Sequence, residues 1–322
     1  MSPDPVSSRP ASPLLFDDED VRALDAATAV GAVRAALLAH HSGALHAPPR
    51  LNADLGDGAG LVVTAGRLRS GTGTGTETGT GGLYGFRAYD TVVGAEQLVA
   101  VWDGADGRLK ALVHGSELGP RRTGAIGALA VDAAANPGPV RLGIVGAGRQ
   151  AWTQLWALGA VRPLEDVVVA SRSAERTAAF ARRAADELGV RVRAVGAVED
   201  AVRERNVVIV ATNSTTPVLD ADWIAPGTHV STLGPKTASG HEVPAALVSR
   251  ADVVLTDSRA QAAGYAEPHL FAPERMVELG AVLAGAAPCR TAPGQITVFC
   301  SVGLAGTEVA LAAALLPGAD AA

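Results

Sequence analysis

The chain has 322 residues, enough for two domains or one elaborate one, and its 48% hydrophobic content supplies ample material for a core. A formal net charge of −6 gives no reason to expect a nucleic-acid partner, and no uninterrupted apolar run reaches membrane-spanning length. The two cysteines, Cys289 and Cys300, lack metal-ligand spacing and cannot build a disulfide framework, which fits a reducing cytoplasm and asks for no metal.

The opening stretch, Met1 to Pro13, is rich in Pro and Ser, lacks the apolar core of a signal peptide and is expected to be disordered. Asp17 to His41 reads as helix-rich, because Val21, Leu24, Val30, Val33, Leu37 and Leu38 recur at helical spacing. Leu61 to Thr64 reads as a strand. Ser70 to Gly82 is almost wholly Gly and Thr, a composition that cannot bury a core, and is expected to form a mobile loop or a lid. Strands resume at Leu83–Val92, Gln97–Asp103 and Leu109–Val113, the last two joined by the hairpin-type turn Asp103-Gly-Ala-Asp-Gly107. Gly119 to Ala135 then reads as one helix, entered through Pro120 and ending before Asn136-Pro-Gly.

The apolar run Val140 to Val145 leads into Gly146-x-Gly148-x-x-Ala151, and a helical stretch follows at once. Strand, glycine turn and helix are the context that a dinucleotide fingerprint requires, with the helix N-terminus facing the pyrophosphate. Gly146, Gly148, Arg149 and Gln150 are therefore expected to bind cofactor. The second strand ends in Ser171-Arg172-Ser173, followed by Arg176, where sites for NAD usually place a carboxylate on the ribose. A guanidinium with hydroxyls suits a 2′-phosphate, so NADP(H) is favoured and NAD(H) is the second possibility. Thr212, Asn213 and Ser214 follow a later strand end, where cofactor contacts gather.

Further strands are expected at Val207–Ala211, His229–Leu233, Val253–Thr256 and Ile296–Phe299, and a closing helix at Glu308–Leu316. Strands first, a βαβ array second and a short return last imply an α/β protein. A Rossmann-type nucleotide domain, 119–298, is inserted in an α+β substrate and dimerisation domain made of 1–118 plus 299–322.

The fingerprint, Arg122-Thr-Gly-Ala125, Pro217-Val-Leu with Trp223-Ile-Ala-Pro-Gly-Thr-His229, and Ser301-Val-Gly-Leu-Ala305 together resemble the ornithine cyclodeaminase/μ-crystallin family, over about Arg50 to Leu316. The resemblance implies an NAD(P)-dependent enzyme, a cyclodeaminase, imine reductase or amino-acid dehydrogenase, and a homodimer paired through the strand-rich domain. It places Arg50 and Arg122 on the substrate carboxylate, and Val302 and Gly303 at the cofactor. The family's catalytic lysine falls on Arg87 and its catalytic aspartate on Lys236, while Glu308 stands where a late Asp is common.

Those two replacements redirect the chemistry. Arginine does not readily shed a proton, so Arg87 is a poor base and joins Arg50 and Arg122 as a binder of anions. Lys236 would repel a substrate's distal ammonium, which argues against ornithine cyclisation. Its own pKa should fall near other cations, leaving it to donate a proton during hydride transfer. Arg121, beside Arg122, is expected to be solvated. His229 and His241 read more readily as structural than catalytic, and His114 and Glu117 as turn or cap residues. The expected activity is NADP-dependent reduction or oxidation of a small anionic imine, keto or amino acid. The alternatives are an ammonia lyase with internally recycled cofactor and a non-catalytic NADPH-binding protein. Three arginines and a lysine in one cleft imply a strongly cationic pocket and a multiply charged or bidentate anionic ligand.

Overall fold

The computed structural model describes residues 12–69, 81–91 and 96–318. The Gly/Thr tract lies outside the described residues except for Gly81 and Gly82, as do residues 1–11 of the opening stretch and Val92. Among the described residues the strands form two sheets.

The first sheet is built from β1 (Leu14–Phe16), β2 (Leu45–His46), β3 (Leu51–Gly56), β4 (Ala59–Arg69), β5 (Gly82–Asp90), β6 (Gln97–Asp103) and β7 (Leu109–Gly115). Its order is β1-β7-β6-β5-β4-β2, with β3 also on β4. β3 to β7 pair antiparallel, while β1 joins β7 in parallel. Helices α1 (Asp18–Ala23) and α2 (Ala26–His41) precede most of it. Asp17 and Asp25 cap them with side-chain oxygens, which is why the single helical pattern splits at Leu24-Asp25.

Alternation along the central strands gives the sheet two faces. Val62 and Thr64 point inward with Val99 and Val101, whereas Leu61, Tyr84 and Leu98 on the other face are exposed. Helix α3 (Leu118–Ala134) leaves the sheet and is buried on nearly all sides, as a helix at the centre of a molecule must be.

The second sheet holds β8 (Val140–Val145), β9 (Leu164–Ala170), β10 (Val192–Val195), β11 (Val207–Val210), β12 (His229–Thr232), β13 (Val253–Thr256), β14 (Val277–Glu278) and β15 (Thr297–Cys300). All its pairings are parallel, in the order β10-β9-β8-β11-β12-β15-β13-β14. Helices α4 (Arg149–Leu158), α5 (Ala174–Leu188), α6 (Val198–Val202), α7 (Ala246–Arg250), α8 (Arg259–Ala263) and α9 (Leu279–Leu283) intervene. Strand β11, Val-Val-Ile-Val, is buried at every position, as parallel strands covered on both faces are.

The last helix, α10 (Thr307–Ala313), returns to the first sheet: Val309, Leu311 and Ala312 join Val99, Val101 and Val113 in one core cluster. This is the expected α/β fold with an inserted Rossmann-type array. Strand β15 runs through the 298/299 boundary to Cys300, so the second sheet keeps the whole strand and the return begins at Ser301.

Candidate active site

All strands of the second sheet run in parallel, so their carboxyl ends share one edge, where open α/β sheets bind ligands. Gly146 follows β8 with φ of 112°, and a Cβ there would overlap the carbonyl of Ala211. Gly148 is the N-cap of α4, and the space in front of its Cα is open. A cleft of about 590 Å³ opens beside this turn. Its wall contains each expected cofactor residue from Gly146 to Gln150, from Ser171 to Arg176 and from Thr212 to Ser214.

The wall carries Arg149, Arg172 and Arg176 and no carboxylate. Arg172 and Arg176 are exposed, and among the described residues neither has an ion-pair partner. The serines differ from expectation. Ser171 Oγ donates to the Ser173 carbonyl at 3.1 Å and sits 2.7 Å from Thr177 Oγ1, while Ser173 Oγ accepts from the Arg176 amide at 3.2 Å. Their hydroxyls hold the turn and cap α5, which leaves the two guanidiniums for a phosphate. The cleft fits an anionic dinucleotide: a helix N-terminus and the guanidiniums of Arg172 and Arg176 suit its phosphates, and the buried Gln150 Oε1, which has no partner, can accept from a hydroxyl or amide donor.

The second cluster is made of side chains from distant segments. Arg50 follows Pro48-Pro49 at the start of β3, and its Nη2 donates to the Val302 carbonyl at 3.1 Å. Arg87 lies on the inward face of β5, opposite Thr64 and Val99. Its Nε donates to Gln97 Oε1 at 2.9 Å and its Nη1 reaches Glu308 Oε1 at 3.4 Å. Arg122, in the second turn of α3, donates Nη2 to the same Glu308 oxygen. A Cβ at Gly303 would stand 2.9 Å from Arg122 Nη1 and 3.3 Å from Arg50 Nη2, so these guanidiniums converge on the turn after β15. Val302 and Gly303, expected at the cofactor, therefore stand beside the arginines and are not in the wall of the 590 Å³ cleft.

Several expectations need correction. Arg121 is not solvated: it is buried, paired with Glu117 at 3.4 Å and stacked 4.4 Å from the Trp156 ring. Lys236 is buried, and its Nζ donates to the carbonyls of Leu233 (3.2 Å) and Gly234. Its pKa is lowered, but chiefly by burial; Cys300, Glu242 and Asp257 pull it upward, and Arg50 adds a smaller depression. The pocket is also less cationic than the arginine count implies, because Glu308 takes two of the three guanidiniums. Burial is the largest influence on Glu308 and opposes its charge, yet Arg122 and Arg87 outweigh it and hold the carboxyl below its ordinary value.

His229 bridges Thr297 Oγ1 (2.9 Å) and Ser231 Oγ (3.1 Å) inside the second sheet, and burial pushes its pKa down to about 3. It supports the sheet, whereas His241, whose Nδ1 lies 3.1 Å from the Thr237 carbonyl, braces the loop after β12. Glu117 occupies the N-cap of α3 without capping through its side chain.

Three positioning acids and amides escaped the sequence reading. Asp257, just after β13, accepts from the amides of Val302 (2.8 Å), Gly303 (2.8 Å) and Leu304 (3.0 Å). It thereby fixes the loop on which Arg50 docks. Glu242 accepts from Thr212 Oγ1 and Thr232 Oγ1, both at 2.7 Å, and from the amides of Thr212, Leu233 and Gly234, tying together the loops after β11 and β12. Gln97 orients Arg87. Asp257 had one legible signal, a carboxylate directly after an apolar strand.

The model of the ornithine cyclodeaminase/mu-crystallin family matches residues 19–316. The chain belongs to that family. Among curated relatives, the Δ(1)-pyrroline-2-carboxylate reductase of Bacillus cereus is 31% identical over 223 residues, 67% of this chain and 68% of the relative. The iminosuccinate reductase of Paracoccus denitrificans is 30% identical over 242 residues, 73% of this chain and 74% of the relative. A solved Thermococcus litoralis Δ(1)-pyrroline-2-carboxylate reductase, in complex with NADH and L-proline, has 23% identity and a TM-score of 0.82, covering 94% of this chain and 96% of that one. That likeness establishes the fold. The expectation of an NAD(P)-dependent oxidoreductase of this family's type is borne out by the reductases among the relatives. Among the described residues no helix is long and apolar enough to cross a membrane.

Proposed function

We propose that this protein is an NADPH-preferring reductase of a small imino acid. The observation that carries the reading is the pairing of an arginine-lined, carboxylate-free nucleotide cleft with two guanidiniums that converge beside Gly303. When bound in the cleft, the nicotinamide supplies the hydride. Arg50 and Arg122 hold the substrate carboxylate, with Val302 and Gly303 beneath it. Arg87, fixed by Gln97 and Glu308, stays charged and positions the substrate. An imine that arrives protonated needs no acid from the protein, so Lys236 contributes field and loop geometry while its ammonium stays on the two carbonyls.

Arg172 and Arg176 give the preference for NADPH, since a 2′-phosphate gains charge-assisted bonds there and a bare ribose does not. The reading includes a homodimer through the exposed face of the first sheet, which carries Leu61 and Leu98 and, farther along the strands, the stacked Tyr84–Trp102 pair (5.8 Å). It assigns the substrate and dimerisation roles to 1–118 with the C-terminal return, and the cofactor role to the inserted array. It also places the protein in the cytoplasm, a setting in which Cys289 and Cys300 persist as free thiols.

The test is coenzyme oxidation with a panel of cyclic imino acids, 2-keto acids with amines, and keto acids alone. Imine-dependent oxidation of NADPH, weaker with NADH, is expected. Tight NADPH binding without turnover of any member would instead favour a non-catalytic binding role, and ammonia release from L-ornithine a lyase.

A further inference from the structure

Glu308 lies in the first turn of α10, and its side chain is 1% exposed. One of its oxygens accepts from both Arg122 and Arg87. A buried carboxylate between two guanidiniums changes what those arginines can offer a ligand. Each side chain brings one charge. Arg50, Arg87, Arg122 and Lys236 are answered by Glu308, Glu242 and Asp257, so this set carries a surplus of one positive charge. Glu242 and Asp257 are satisfied by backbone amides and hydroxyls; Glu308 alone of the three acids is paired directly with the guanidiniums.

The remaining donors have a definite place. Arg122 Nη1 and Arg50 Nη2 press against Gly303, where even a Cβ would stand 2.9 and 3.3 Å from them and where a φ of 83° also favours glycine. On the reductase reading these are the donors that take the substrate carboxylate. A second carboxylate would turn to Arg87 next and would meet Glu308 already there, and like charges in a desolvated site cost several kcal/mol.

We propose that Glu308 is the specificity-determining residue for substrate charge: by occupying Arg87 and Arg122 it admits imino-monocarboxylates and rejects imino-dicarboxylates. This rests on the reductase reading and reverses the multiply charged ligand that the arginine count alone suggests. Glu308 acts through the two arginines.

The test is calorimetric binding to the full chain with NADP⁺ present, using three unreactive planar probes. They are pyrrole-2-carboxylate, pyrrole-2,5-dicarboxylate and the 5-carboxamide of pyrrole-2-carboxylate, which has the dianion's shape and one charge. The parent protein is expected to bind the monoanion and the amide at least about tenfold more tightly than the dianion. Glu308→Gln should close most of that gap by strengthening the dianion several-fold more than the amide, a charge-selective change that a purely structural role would not produce. If the dianion binds the parent as well as the monoanion, or if the amide is rejected as strongly as the dianion, the proposal is wrong. If Glu308→Gln does not fold, the parent's own three affinities decide. Because binding is read without turnover, failure of the reductase reading shows separately, as absent coenzyme oxidation with any imine.

Discussion

The two ligand-facing regions are built on different principles. The nucleotide cleft is made largely by backbone: a tight glycine turn, a helix N-terminus and the ends of β8, β9 and β11. Its arginines Arg172 and Arg176 stand exposed with no ion-pair partner among the described residues. The substrate cluster is made by side chains from β3, β5, α3, the loop after β12 and α10. Its charges already have protein partners: Arg87 and Arg122 on Glu308, Arg50 on the Val302 carbonyl, and Lys236 on two carbonyls. The first region is poised to gain interactions on binding, whereas the second must exchange interactions it already has. On the proposed function, affinity is concentrated in the cofactor and selectivity in the cluster.

The largest effect expected is on the cluster. Glu308→Ala leaves two buried guanidiniums without their carboxylate, and breaking a buried pair from one side costs about 3–5 kcal/mol. Urea unfolding followed by circular dichroism measures it. A loss under about 1 kcal/mol would put the pair in solvent and erase the contrast between the regions.

The cofactor side should respond in affinity, with folding little changed. Arg172→Ala removes an exposed guanidinium, so stability should stay within about 0.5 kcal/mol. NADPH binding should weaken by about 1.5–3 kcal/mol, the worth of a charge-assisted bond, with NADH little affected. Fluorescence titration of both coenzymes checks this; equal losses for the two would mean that Arg172 does not read the 2′-phosphate.

The smallest effect concerns the sheet that supports both regions. His229 is held neutral, with its pKa pushed down from 6.5 to about 3 by burial and by Arg290. The unfolded chain takes up a proton below about pH 6.5 that the native state refuses. Stability from this group is thus complete above that pH and is lost as pH falls toward 3, by up to about 1.4 kcal/mol per pH unit. Glu308 adds to the same acid limb, since its lowered carboxyl must be protonated at low pH. Unfolding free energies at pH 7 and pH 5 should fall more steeply for the parent than for His229→Gln. Parallel slopes would show that the imidazole is protonated in place.

The same contrast explains what could be read from the chain alone. The fingerprint, the second strand tip and Thr212 to Ser214 were legible because local spacing fixes backbone geometry, and all of them line one cleft. The helix over 119–135 and most strands of both sheets were legible from apolar patterning, whereas β3 and β10 were not. Short edge strands such as β1, β2 and β14 were not, since two or three residues carry no period. In the cluster, residue types were legible but their partners were not. Nothing in the sequence near Arg122 announces that Glu308, far along the chain, will take its charge, nor that Trp156 and Glu117 will bury Arg121. The Lys236 pKa moved in the direction expected but for another reason, because depth of burial is set by packing across the whole fold.

The central claim is the proposal that Arg87 and Lys236, at the places where the resemblance puts the family's catalytic lysine and aspartate, leave a reductase in place of an ornithine lyase. The direct measurement is label transfer: NADPH deuterated at the hydride position is supplied with Δ1-pyrroline-2-carboxylate, and the product is read by mass spectrometry, beside a control with L-ornithine and NADP⁺. The account expects proline carrying one deuterium at Cα, and no ammonia from ornithine. Unlabelled proline and stoichiometric ammonia from L-ornithine, with no net coenzyme oxidation, would contradict it.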